Sequence, residues 1–172
     1  MTWPAPLTLT GRHMRLEPLS QAHAGGLCDA SRDGDLWQLW YTAIPSPEGM
    51  VKEIERRLAL QAAGSMLPFT VFDAAGKVVG MTTYMNIDAV HRRVEIGSTW
   101  YARSAQRTPL NTEAKRMLLA HAFDVLGCLA VELRTHRLNT QSRRAIERLG
   151  AQLDGILRHH QRAADGSLHD TC

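Results

Sequence analysis

Cysteine is scarce in this chain. Cys28, Cys128 and Cys172 are the only three among 172 residues. They are odd in number and far apart, which argues against a disulfide framework and a zinc site. Three unpaired thiols in a reducing cytoplasm are expected, with no metal. Long apolar runs are missing too, so no membrane span is expected. Met1 to Arg15 mixes Trp, Pro and Thr with His and Arg where a signal peptide would carry an apolar centre. No segment is of low complexity, so the chain should fold throughout. Nor is there a strong charge of one sign. The formal charge is +3 and the pI about 9.0. Basic residues are dispersed apart from Arg134, Arg137, Arg143, Arg144 and Arg148, and no aromatics interleave with that group. This is a weak basis for nucleic-acid binding, and it equally suits a protein that holds a polyphosphate.

What remains is a chain that is 44% apolar and long enough for one core. A single domain over residues 1–172 is expected. Its focal stretch is Gln106-Arg107-Thr108-Pro109-Leu110-Asn111. Upstream, Val94 to Tyr101 reads as a strand. Downstream, Leu110, Ala114, Met117, Leu118, Ala122 and Val125 fall on one helical face. A strand that turns sharply into a helix leaves the first helical N–H groups without partners at the positive end of the dipole, which is a ready anion site. Arg103 and Arg107 sit in that connection. The stretch therefore reads as a phosphate-binding turn.

Around it, His13 to Glu17 alternates as a short strand ended by Pro18, and Ser20 can cap a helix running to about Ser31. Trp37, Trp40 and Tyr41 cluster either as packing under a loop or as an apolar wall for an acceptor. Ser46-Pro47 predicts a helix start, with Val51, Ile54, Leu58 and Ala62 inward and Gly64 at the end. Lys52, Glu53, Arg56 and Arg57 would form its solvated face. Leu67–Phe72 and Val78–Tyr84 read as a hairpin about Ala74–Lys77, and Asp88–His91 as the turn into the Arg93–Tyr101 strand. Gly127 stops the central helix, and Leu129–Thr135 is a further strand. Asn139 then caps a helix with Ala145, Ile146 and Leu149 inward. Ala151–Leu157 is read as a strand, His159–Gly166 as a turn, and Leu168–Cys172 as the beginning of a last strand. Strands and helices around one sheet make an α/β or α+β domain.

Two segments carry a resemblance to a known family. They are Gln106–Asn111 with Thr112-Glu113-Ala114-Lys115, and Asn139-Thr140-Gln141-Ser142 running on to Leu149-Gly150-Ala151. With them the chain, from Leu9 to Thr171, resembles the GNAT superfamily of acyl-CoA-dependent N-acetyltransferases, nearest the ribosomal-protein N-terminal acetyltransferases. The resemblance implies a GNAT-like fold whose mixed, largely antiparallel central sheet is flanked by helices. It implies acetyl-CoA as co-substrate and a primary amine, on a protein N-terminus or a small molecule, as acceptor. The Gln106, Arg107, Thr108, Leu110 and Asn111 turn would hold the pyrophosphate through backbone amides. The Glu95–Trp100 strand would splay from Val131–Thr135 to admit the pantetheine arm, which Asn139 would contact. Ser142 would lie near the sulfur, where a hydroxyl can protonate the departing thiolate. Where the family usually has glycine in its loop, this chain has Arg107 and Pro109. Pro109 offers no N–H, while Arg107 adds a charge.

For the amine's proton, Glu95 is either a general base or a strand charge paired with Arg93 or Arg134. His91, His136, His159, His160 and His169 titrate in the right range; individually they read as surface or packing residues, as do Ser98, Tyr84 and Tyr101. Arg143 and Arg144 are a solvated face or a contact for a 3′-phosphate. Two rival classes stay open, a non-catalytic acyl-CoA-binding regulatory module and a basic nucleic-acid-binding domain. Dimers are common in the family, so a homodimer is compatible. The chain stops at Cys172 where related proteins continue, so the last strand is expected to be cut short.

Overall fold

The computed structural model describes residues 3–163 and 165–172; Ala164, within the segment expected to turn at His159–Gly166, lies outside them, as do Met1 and Thr2. Six strands lie side by side in chain order: β1 (Leu9–Thr10), β2 (Met14–Pro18), β3 (Met66–Asp73), β4 (Val78–Asp88), β5 (Arg93–Tyr101) and β6 (Ala130–Glu132). Four short or helical returns make the neighbours antiparallel, and only β5 and β6 run parallel. A parallel pair needs a long crossover, and α3 (Pro109–Ala120) supplies it. The β3–β4 hairpin closes where the Asp73 carboxylate accepts the amides of Ala75 and Lys77, at 2.9 Å each, and Gly76 takes φ +81°.

Residues 66–72 of β3 are all buried, so both faces of that strand are covered. The helix α2 (Met50–Ala62) packs against β3 itself, while α1 (Ala24–Arg32) packs against its neighbour β4 and α3 against its neighbour β2. From α3 come Leu110, Ala114 and Leu118, four residues apart and all buried. The chain finishes with α4 (Thr140–Glu147) and a separate ribbon of β7 (Leu157–Arg162) and β8 (Leu168–Thr171). This is the mixed, largely antiparallel α/β arrangement expected.

Several boundaries differ from expectation, each for a physical reason. Ser20 caps only a 3-10 turn, Gln21–His23, and α1 begins after it. Ser46 Oγ does accept the Gly49 amide at 3.1 Å, but residues 47–49 form a separate turn and α2 starts at Met50. The inward face of α2 is then Met50, Ile54 and Arg57, while Val51 is exposed. Arg57 is thus not on a solvated face. Its Nε donates to Glu53 Oε1 at 2.7 Å and its Nη1 to Thr83 Oγ1 at 2.8 Å. After α3 the helix widens into a π-turn, His121–Val125, which shifts the register and leaves Val125 exposed.

The strand expected at Leu129–Thr135 shortens to three residues, because beyond Glu132 it no longer meets β5. Residues 151–156 are irregular, and the strand instead occupies Leu157–Arg162, overlapping the expected turn from His159 on. Its partner is β8, and all six of its residues are exposed, so no apolar alternation marks it. In turn, β8 docks on the chain after β6. Thr135 and Cys172 exchange two backbone hydrogen bonds, at 3.1 and 2.9 Å, and the Arg137 amide donates to Asp170 O at 3.0 Å.

Candidate functional site

The site begins where a sheet fails to continue. Arg93–Glu95 pairs with Ala130–Glu132, and among the described residues the two strands pair no further with each other. Past that point Ile96–Tyr101 forms one wall and Leu133–His136 the other of a cleft of about 460 Å³, closed on further sides by α3, α4 and the Leu39–Ile44 loop. β5 carries a bulge here. Its register against β4 passes from Met81↔Trp100 to Thr83↔Gly97, and Ser98 takes φ +48°. Gly97 keeps the floor narrow: a Cβ there would stand 2.8 Å from Met85 Sδ and 3.0 Å from Glu95 Oε1.

At one end of the cleft β5 turns into α3. Thr108 is the N-cap and Pro109 the first helical residue, the position where proline's missing N–H costs nothing. Gln106 Nε2 donates to Tyr101 O at 2.9 Å, tying the turn to the strand. Arg107 stands at φ +59°, the left-handed conformation that glycine adopts freely. The turn thus keeps a glycine-like shape without the glycine, at a cost of about 1–2 kcal/mol. The Gln106 amide is spent on Arg103 O and the Leu110 amide on Thr108 Oγ1, while the amides of Arg107, Thr108 and Asn111 have no partner among the described residues. Gln106, Arg107 and Asn111 line the cleft. Thr108 and Leu110 do not: the Thr108 hydroxyl donates to Ala105 O, and the Leu110 side chain is in the core.

The remaining expected residues converge on the same space. Glu95, Trp100, Asn139 and Ser142 all line it. Glu95 is buried rather than an exposed strand charge. Asn86 Nδ2 donates to its Oε2 at 2.7 Å, and Arg134 Nε lies 3.5 Å from that oxygen. Asn139 Oδ1 accepts the Ser142 amide at 3.0 Å, so its cap role is real and leaves its Nδ2 for other use. Ala145, Ile146 and Leu149 of the α4 segment face the cleft half-buried.

Among the five histidines considered, only His136 lines the cleft. Burial, then His169, lowers its pKa, with Asp170 opposing. Its Nδ1 accepts the Leu138 amide at 3.0 Å, so in the neutral ring Nε2 carries the hydrogen and is not a base. His136 and His169 are edge-to-face at 4.4 Å, and Trp40 packs edge-on against both. Trp40 is exposed at this rim while Tyr41 lines the cleft. The arginine group does not form a patch. Arg134 pairs with Glu132, Arg137 with Asp170, and Arg148 donates to Thr112.

Sequence reasoning passed over Lys115. It is buried and lines the cleft, and its Nζ donates to Thr99 Oγ1 at 2.6 Å and Thr82 Oγ1 at 3.1 Å. Burial pushes its pKa down to about 7. The available signal was its place between Ala114 and Leu118 on the inward stripe of α3. Three polar atoms of residues on the same walls, Trp100 Nε1, Tyr101 OH and Asn111 Oδ1, are buried without a hydrogen-bond partner among the described residues. Buried polar groups are normally satisfied, so these three are exceptions within the wall itself.

Comparison with known proteins agrees with this geometry. A family model described as "Acetyltransferase (GNAT) domain" matches residues 13–152. The protein named "Putative ribosomal N-acetyltransferase YdaF" of Bacillus subtilis (strain 168) is 34% identical over 83 residues, 48% of this chain and 45% of that protein. That match therefore spans less than half of the relative's length. A GCN5-related N-acetyltransferase structure from Brucella melitensis is 33% identical, with TM-score 0.85, covering 98% of this chain and 77% of that one. The acetyl transferase from Salmonella typhimurium described as modifying the N-terminal serine of 50S ribosomal subunit protein L7/L12 shares the fold. Its TM-score is 0.81 at 17% identity, over 94% of this chain and 92% of the other.

Proposed function

The chain belongs to the GNAT acetyltransferase family, and from that premise we propose that it moves an acetyl group from acetyl-CoA to a primary amine by direct attack in a ternary complex. Acetyl-CoA is the co-substrate of that family. The observation that carries the reading is the parting of β5 from β6 after Glu95 and Glu132, which opens the cleft between the two strands. We treat residues 1–172 as one domain serving this site.

In this proposal the free amides of Arg107, Thr108 and Asn111 and the Arg107 guanidinium hold the pyrophosphate. The positive end of α3 adds to the attraction. Asn139 Nδ2 contacts the pantetheine arm. Amine attack requires the amine to lose a proton. Glu95 takes it, directly or through one water, while Asn86 and Arg134 hold the carboxylate in the orientation that faces the cleft. The Ser142 hydroxyl passes its proton to the leaving thiolate and is restored, through water, by the proton that Glu95 took from the amine. Proximity within the ternary complex removes the need for a covalent enzyme intermediate.

The acceptor enters over Tyr41 and the Leu39–Ile44 loop, and is a protein N-terminus or a small amine. Thiol release from acetyl-CoA, screened against short peptides with free N-termini and against small amines, tests the reading. Turnover is expected with at least one acceptor, and Glu95→Gln is expected to lower kcat about a hundredfold or more. Acetyl-CoA binding without turnover on any amine would instead mark a binding module.

A further inference from the structure

The bulge of β5 is the point at which that strand departs from a regular ladder, and Lys115 is the side chain fastened to it. Between Met81↔Trp100 and Thr83↔Gly97, one residue of β4, Thr82, faces two of β5, Ser98 and Thr99. Ser98 sits at φ +48°, a conformation that a non-glycine residue adopts only when its surroundings impose it.

Lys115 reaches across from α3 and bonds the hydroxyls on both strands, at 2.6 Å to Thr99 and 3.1 Å to Thr82. Those hydroxyls lie 2.8 Å from each other, and Thr99 Oγ1 lies 3.4 Å from Gly97 O within the bulge itself. One amine therefore ties α3, β4 and β5 together at the bulge, beside the strand segment that forms the cleft wall. Its two hydroxyl partners suit an amine with two hydrogens. Burial is the cause of its lowered pKa; none of the ionisable groups lining the cleft, Tyr41, Glu95, Tyr101, Arg107, Arg134 or His136, offsets it.

We propose that Lys115 is a positioning residue for acetyl-CoA, acting through the Ser98–Thr99 bulge to hold the β5 backbone that faces the thioester arm. The inference rests on the assignment of the cleft as the acetyl-CoA site. The bulge sets where the β5 amides of residues 96–100 point. Without the tie, the strained Ser98 is free to relax and the ladder to slip towards regular pairing. The nucleotide end of the cofactor is held by a different element, the turn before α3, and does not depend on the tie.

Two variants and two measurements test this. Lys115→Met keeps most of the side-chain volume without the amine, and Thr99→Val removes the first hydroxyl. Amide hydrogen exchange is expected to quicken at least tenfold over residues 96–101 in both variants and to stay unchanged in β3. Calorimetry should show acetyl-CoA bound about tenfold more weakly, with 3′-phosphoadenosine 5′-diphosphate bound as in the wild type. With an acceptor in hand, KM for acetyl-CoA should rise while kcat holds within about twofold. A lower melting temperature with unaltered exchange at 96–101, or equal weakening of acetyl-CoA and the nucleotide fragment, overturns the proposal. Wild-type protein that binds no acetyl-CoA would sink the cleft assignment, whereas the exchange result separately decides the tie to the bulge.

Discussion

Arg57 offers the sharpest test of how this fold carries a buried charge. Its side chain is 2% exposed. It donates to Glu53 at 2.7 Å and to Thr83, itself fully buried, at 2.8 Å. Arg57→Ala removes two methylenes beyond Cβ, worth about 1.6 kcal/mol of buried apolar surface. It also leaves the Thr83 hydroxyl without its donor, at about 1–3 kcal/mol. Glu53 is spared, because Arg56 grips the same carboxylate at 2.7 and 2.8 Å. Against these losses stands the desolvation cost of a guanidinium, which burial expresses as a pKa lowered from the ordinary arginine value.

The balance puts Arg57→Ala at about 3 kcal/mol of lost stability, or a fall in Tm of about 6–12 °C for a chain of this length. The double variant Arg57→Met with Thr83→Val fills the space and removes both polar partners together. It is expected to be neutral or more stable than the wild type, since apolar replacement of a buried charge typically gains about 1–4 kcal/mol or costs nothing. Urea unfolding followed by circular dichroism, with the m-value checked for constancy, reads both. A double variant as unstable as Arg57→Ala would refute the reasoning, because the charge would then be net stabilising where it lies.

What could be read from the sequence divides along a physical line. Strands β2 to β5 were legible because they alternate or run apolar between turn residues, and the start of α3 because Thr108-Pro109 is a local capping signal. The candidate residues Glu95, Asn111, Asn139 and Ser142 come from the resemblance, and the structure brings them to one cleft. Arg57 and Lys115 were not legible as buried. Each is a polar residue on a helix, and its partner is a threonine on β4 more than twenty residues away in the chain. Apolar periodicity says nothing about such a pairing. Counting only apolar residues turned the α2 stripe towards Val51, when the buried row is Met50, Ile54 and Arg57. The last ribbon was misplaced for the complementary reason: β7 is exposed along its whole length, so its pairing leaves no hydrophobic trace.

Two further outcomes follow from close packing and from burial. A Cβ added at Gly80 would lie 2.1 Å from Trp100 O and 3.0 Å from Tyr101 Cα, both backbone atoms beside the cleft wall. Gly80→Ala should cost about 3 kcal/mol or more and lower Tm by at least about 6 °C, and a melt within about 1 °C of wild type would contradict that contact. Lys115 should give stability an upward slope on the alkaline side of neutrality. In the folded chain burial brings its amine to about 7, against an ordinary value of 10.5. Between those values the unfolded chain holds a proton that the folded chain does not, so stability rises with pH. The penalty is complete below the folded value and gone above the unfolded one. Each pH unit inside the window is worth about 1.4 kcal/mol. Wild type should therefore gain about 2–3 kcal/mol on Lys115→Met between pH 7 and 9, other titrating groups cancelling in the difference. Denaturant unfolding of both proteins across that range decides the matter. Parallel curves would mean that the amine is not held uncharged at the bulge.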